Sequence, residues 1–160
     1  MPSALIEAPF ETTRAVANLI YTGTLDLYPH ISYVLAHGGG TVPYLAWRIA
    51  LVRYIQENRK PAVLRAFYDF YVRRGPETGL KMLKNMYYDT ALASSPYALR
   101  ALQEFAGPSH IVFGSDYPFA AHLVSYVIKD LLTYDGFSKE DLTFIESENS
   151  LKLFPHLKGL

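Results

Sequence analysis

Three short apolar runs, at residues 31–36, 86–91 and 110–113, punctuate this chain, and stretches with helical character separate them. Runs of that length match buried strands, whereas helices need longer segments. Strands joined through helical crossovers lie parallel, because a tight hairpin cannot bring the chain back to the same end of a sheet. The order therefore predicts an α/β fold with a parallel sheet and helices outside it. Three strands are few for such a sheet. Both outer strands are edges with unpaired backbone groups, and a parallel sheet needs cover on both faces. No repeat, low-complexity tract or linker divides the sequence, so residues 1–160 read as one domain-sized portion.

The intervening segments carry their own punctuation. Residues 11–21 place Ala15, Val16, Leu19 and Ile20 at helical spacing, and Gly23 ends the pattern. Residues 42–57 read as a helix with Pro43 in its first turn, where a missing N–H costs nothing. Residues 61–74 form a second helical stretch closed by Gly75 and Pro76, and 77–84 a short third. Residues 96–105 end at Gly107-Pro108, and 123–133 and 139–146 are the last helices expected. Ser138 with Asp141 has capping-box spacing, with Asp where Glu or Gln is commoner.

Composition narrows the classes. Half the residues are hydrophobic and 13 Tyr and 9 Phe are present, which is a globular composition. The 15 basic and 15 acidic residues cancel, so no global field favours nucleic acid or an anionic membrane. The basic cluster of Arg53, Arg59, Lys60, Arg65, Arg73 and Arg74 is interleaved with apolar residues and reads as solvated helix faces. No cysteine is present, which excludes disulfides, thiolate metal sites and a Cys nucleophile. Residues 1–10 contain Glu7 and two prolines without a basic region and apolar run, and no segment approaches the ~18 apolar residues of a membrane span. The expectation is a soluble, cytoplasmic protein with no nucleic-acid or membrane partner.

Parallel α/β sheets collect chemistry just past the carboxyl ends of their strands. The three ends here carry His37, Asp89 and Asp116. His37 precedes Gly38-Gly39-Gly40, which can leave an imidazole unshielded for metal ligation or proton transfer. The same arrangement also fits a histidine bonded to a nearby carbonyl in a tight turn. Asp116, between Gly114-Ser115 and Tyr117-Pro118, can ligate a cation or take a proton, or can organise its turn. Asp89 is followed by Thr90 and then Ser94-Ser95-Pro96, which points to helix capping. His30, His110, His122 and His156 read as surface or structural. The glycine run fits neither dinucleotide nor Walker phosphate loops, and no nucleophile elbow occurs.

At these residues the chain resembles the amidohydrolase-related family that includes aminocarboxymuconate semialdehyde decarboxylase and the γ-resorcylate and 6-methylsalicylate decarboxylases. The matching segments are Gly23 to Pro29, Leu35 to Gly40 with Pro43-Tyr44-Leu45 and Arg48-Ile49, Tyr87 to Ala91, and Ile111 to Phe119. Glu148 to Pro155 is similar to the family's final helix, and Tyr88 to Pro96 looks most like the 6-methylsalicylate branch. The resemblance implies a (β/α)8 TIM-type barrel of ~250 residues, of which this chain would be a partial, C-terminal portion. Its strands would be about the last three βα units, the sixth to eighth.

The resemblance further implies a divalent metal, zinc first and manganese second, held by a His-x-His pair, a fifth-strand His and an eighth-strand Asp. Asp116 corresponds to that metal-ligand Asp, and His37 to the catalytic sixth-strand His. No His-x-His occurs in the sequence and residues 1–10 contain no His, so three of the four implied ligands are absent. The implied activity is decarboxylation or hydrolysis of a small, aromatic carboxylic acid, with this chain inactive alone. The alternative is a catalytically inert truncated barrel that self-associates or pairs with an N-terminal piece. A binding module with a residual pocket at His37, Asp116 and Tyr117 is the third reading.

Overall fold

A computed structural model describes residues 3–58, 61, 63 and 76–159. Helix α1 spans Glu7–Tyr21, beginning earlier than the sequence predicts, and Gly23 at φ 74° reverses the chain behind it. A one-turn helix, α2, covers Thr24–Leu27 and precedes strand β1, Val34–Leu35. Helix α3 (Val42–Asn58) and helix α4 (Pro76–Lys84) lie on either side of the expected 61–74 helix, which apart from residues 61 and 63 is outside the described residues. The side chains of the basic cluster between Arg53 and Arg74 also lie outside them. Strand β2 (Tyr87–Asp89), helix α5 (Pro96–Phe105) and strand β3 (Ile111–Val112) follow. Helix α6 (Val124–Thr133), helix α7 (Lys139–Thr143), a π turn (Phe144–Glu148) and helix α8 (Asn149–Leu153) complete the order.

The sheet is parallel, in order β1-β2-β3, with Leu35 beside Tyr88 and Tyr88 beside Ile111. This is the α/β arrangement that the alternation predicts. Each strand is shorter than its apolar run, because only two or three residues per run reach a partner strand. Tyr88 explains why β2 is central. Its side chain is fully buried, its hydroxyl donates to the Leu83 carbonyl at 2.7 Å, and its ring meets Phe105 edge-on. Burial pushes the Tyr88 phenol far above its ordinary pKa, so it stays neutral and keeps that donor.

Around Tyr88 the core gathers Val16 and Ile20 of α1, Val42 and Ile49 of α3, Leu83 of α4, Leu99 and Leu102 of α5, Leu131 of α6 and Ile145. Helices α3 and α4 approach closely at Gly79, where a Cβ would sit 3.0 Å from Ala50. The outer side of β3 is tied down by the π turn. The Phe113 N–H donates to the Ile145 carbonyl at 2.8 Å, and buried Asn149 donates through Nδ2 to the Pro108 and Ile111 carbonyls, both at 2.8 Å. The expected 139–146 helix is thus longer, running through the π turn into α8. Its start is capped as predicted: Ser138 Oγ accepts from the Asp141 N–H, and Asp141 Oδ2 accepts from the Ser138 N–H. No helix among the described residues is long and apolar enough to cross a membrane.

Candidate active site

The three parallel strands end at one side of the sheet, and there the chain leaves ordinary backbone geometry. Ala36 is extended, but His37 turns to φ 56°, and Gly38, Gly39 and Gly40 continue at positive φ. Only glycine tolerates a run of this kind cheaply. Space enforces the same choice, since a Cβ on Gly39 would lie 2.7 Å from the Tyr88 ring. Leu92 at φ 51° and Asp116 at φ 57° are the other non-glycine residues in the left-handed region among the described residues. Such backbone in residues with side chains concentrates at sites that need a particular side-chain direction.

His37 is held at two points. Its backbone N–H donates to Asp89 Oδ1 at 2.7 Å, and its ring Nδ1 lies 3.1 Å from the Ala91 carbonyl oxygen. A carbonyl only accepts, so Nδ1 carries the proton in the neutral ring and Nε2 keeps a lone pair. The same Asp89 oxygen accepts the Ala91 N–H at 3.0 Å. Burial pushes the Asp89 carboxyl above its ordinary range, while the N–H groups of His37, Ala91 and Gly38 and the charge of His37 act the other way.

Thr90, fully buried next to Asp89, ties β2 to the segment after β3. Its hydroxyl accepts from the Gly114 N–H at 3.1 Å and donates to the Gly114 carbonyl at 3.3 Å. A Cβ on Gly114 would come within 2.9 Å of the Asp89 carboxyl carbon. Two residues on, half-buried Asp116 uses its own carbonyl to accept from the Ala120 N–H at 2.8 Å. Its carboxylate has no hydrogen-bond or ion-pair partner among the described residues. A cis Tyr117–Pro118 bond follows, and Tyr117 and Phe119 stand exposed beside it.

His37 and Asp89 are therefore brought into direct contact, and Gly114 packs against Asp89. Asp116 stands at the same end of the sheet without bonding to either. Asp89 does not cap a helix as the sequence suggests; Ser95 does, accepting from the Ala98 N–H at 3.3 Å. The role of Thr90 was not legible in the sequence, although Tyr87 to Ala91 stood among the segments of family resemblance. Of the other histidines, His110 leans on Tyr87 at 5.1 Å between ring centres, and burial, then the Lys152 charge, lowers its pKa.

Metal ligation is a matter of counting donors. A catalytic zinc takes three protein ligands and a water. Among the described residues no group of three or more His, Cys, Asp or Glu side chains could hold an ion. These residues do not by themselves fit a resident metal.

Comparison with known proteins agrees with this architecture. A family model described as Amidohydrolase matches residues 8–156. The 6-methylsalicylic acid decarboxylase of Penicillium expansum is 34% identical over 160 residues, which are 100% of this chain and 46% of that relative. The chain thus spans less than half the length of this relative. A crystal structure described as amidohydrolase II superposes with a TM-score of 0.76 at 24% identity, covering 97% of this chain and 45% of the other. A dihydroxybenzoic acid decarboxylase from Polaromonas sp. JS666, solved with manganese and 2-nitroresorcinol, gives a TM-score of 0.67 at 24% identity, with coverages of 92% and 40%. The match over nearly all of its length places this chain in the amidohydrolase family.

Proposed function

We propose that these residues form the sixth to eighth strand units of a (β/α)8 barrel whose complete form decarboxylates a small aromatic carboxylic acid. The carrying observation is the 34% identity to a 6-methylsalicylic acid decarboxylase along the entire chain. The strand-end geometry supports the same reading. Loss of CO2 from an aromatic acid leaves an electron pair on the ring carbon, and a proton has to reach that carbon. His37, with its Nδ1 proton donated to Ala91, offers Nε2 to pick up and deliver such a proton. Hydrolysis of a related substrate would use the same proton carrier, so the two reactions differ in substrate rather than in the role of His37.

Asp116 is this segment's contribution to a divalent-metal site, with zinc first and manganese as the alternative. Its carboxylate is left without a protein partner among the described residues, as a ligand waiting for donors from elsewhere would be. Because the described residues alone do not fit the ion, no step is assigned to it. The proposed location is the cytoplasm.

The count of donors also favours a second reading, in which the 160-residue chain alone is an inert half-barrel. Its strand edges would then pair with another copy or with an N-terminal piece. Size-exclusion chromatography checks the pairing, and a well-folded monomer sinks it.

The test of the main reading starts from the coding sequence upstream of Met1. An in-frame segment with His-x-His and a further His is expected, and its full-length product should release CO2 from 6-methylsalicylate or another hydroxybenzoate once zinc or manganese is supplied. A folded, metal-loaded full-length protein that decarboxylates none of them overturns the proposal.

A further inference from the structure

We infer that Asp89 is a positioning residue for His37: it fixes both the left-handed backbone and the ring tautomer that present Nε2 at the strand ends. The inference rests on the reading of His37 as the proton carrier but concerns a residue to which that reading gives no role.

Three hydrogen bonds close a ring around the two residues. Asp89 Oδ1 accepts from the backbone N–H of His37 at 2.7 Å and from that of Ala91 at 3.0 Å, and the Ala91 carbonyl lies 3.1 Å from His37 Nδ1. One carboxylate oxygen thus anchors the imidazole twice. It holds His37 directly through the backbone, and it holds Ala91 in place to receive the ring proton. A residue at φ 56° returns to commoner backbone once its anchor is lost. The imidazole then loses its alignment with Ala91, and Nδ1–H no longer has a preferred acceptor.

The packing around the carboxylate is equally specific. Asp89 ends the central strand, between the ends of β1 and β3. Gly114 leaves it room, since a Cβ there would sit 3.0 Å from Asp89 Oδ2. The hydroxyl of neighbouring Thr90 bonds the Gly114 backbone and not His37. It supplies a control that disturbs the same strand end without touching His37.

The test is the ring nitrogen NMR spectrum of the metal-free, 160-residue chain labelled at histidine, recorded at an alkaline pH above which the His37 signals no longer move. His37→Gln assigns the signals. In the wild type Nδ1 should resonate as a protonated nitrogen and Nε2 as one bearing a lone pair. Asp89→Ala should lower the Nδ1–H fraction at least about twofold, Asp89→Asn should restore it by keeping an acceptor oxygen, and Thr90→Val should leave it unchanged. A wild-type His37 protonated at Nε2 overturns the inference, as does an unchanged tautomer in Asp89→Ala or an equal shift in Thr90→Val. Should Asp89→Ala fail to fold, Gly114→Ala decides: crowding the carboxylate must move the His37 signals, and unchanged signals overturn the inference. None of these readouts depends on turnover, so failure of the decarboxylase reading and failure of this one are separately visible.

Discussion

Asp89 is pulled in two directions, and burial wins. The N–H donors stabilise its carboxylate, yet desolvation leaves its pKa above the ordinary 3.8. A raised folded-state value means that the folded protein binds this proton more tightly than the unfolded chain does. The corresponding stability is fully present below pH 3.8 and is lost as pH rises through the folded value. Urea midpoints of wild type and Asp89→Asn should therefore diverge as pH rises above 3.8, the wild type losing ground through the folded-state titration. A difference that stays flat over that range refutes the assignment. His37 makes the second residue-scale prediction. In the full-length protein, His37→Asn should lower the decarboxylation rate by about 10²–10⁴-fold, the usual span for a positioned acid–base group, with little change in the urea midpoint. Sequence alone tipped His37 only slightly towards chemistry over turn-making. The structure shows the carbonyl bond at Nδ1, and that bond leaves Nε2 with its lone pair.

At the scale of elements, the turn after β1 depends on α1. Thr41 N–H donates to Thr13 Oγ1 at 2.9 Å, and a Cβ on Gly40 would lie 2.1 Å from the Pro9 carbonyl oxygen. The turn and the helix are packed backbone to backbone. Gly40→Ala should destabilise the chain by about 3 kcal/mol or more, combining positive-φ strain with the clash, as read by urea denaturation. The cap of α7 offers a smaller, cleaner test. Ser138→Ala removes one half of the capping box and should cost about 0.5–2 kcal/mol. Both features were visible as sequence spacing. The capping box needs only residues 138 and 141, so local pattern suffices to identify it. What the glycine run packs against was not visible, because Pro9 and Gly40 are 31 positions apart in sequence. The helix from Lys139 was also underestimated, because the π turn that carries it on to Leu153 is set by Asn149 and Ile145 bonding to β3 and its flanks.

For the whole molecule, the decisive quantity is the number of metal donors. After chelation and re-equilibration with zinc or manganese, the 160-residue chain should retain well under one equivalent on elemental analysis. A longer product carrying a His-x-His pair and a further His should retain close to one, and Asp116→Ala should lower that value. Stoichiometric, tight binding by the short chain would mean that Asp116 needs no histidine ligands from elsewhere. The sequence by itself determined the alternation of strands and helices, the parallel order and the placement of His37, Asp89 and Asp116 at strand ends. Periodicity and punctuation are local and need no partner to be read. Only the tertiary structure decided which of these side chains meet. It bonded Asp89 to His37, gave Thr90 to Gly114 and left Asp116 apart, because contacts across 24 to 54 residues of sequence depend on how adjacent strand ends pack.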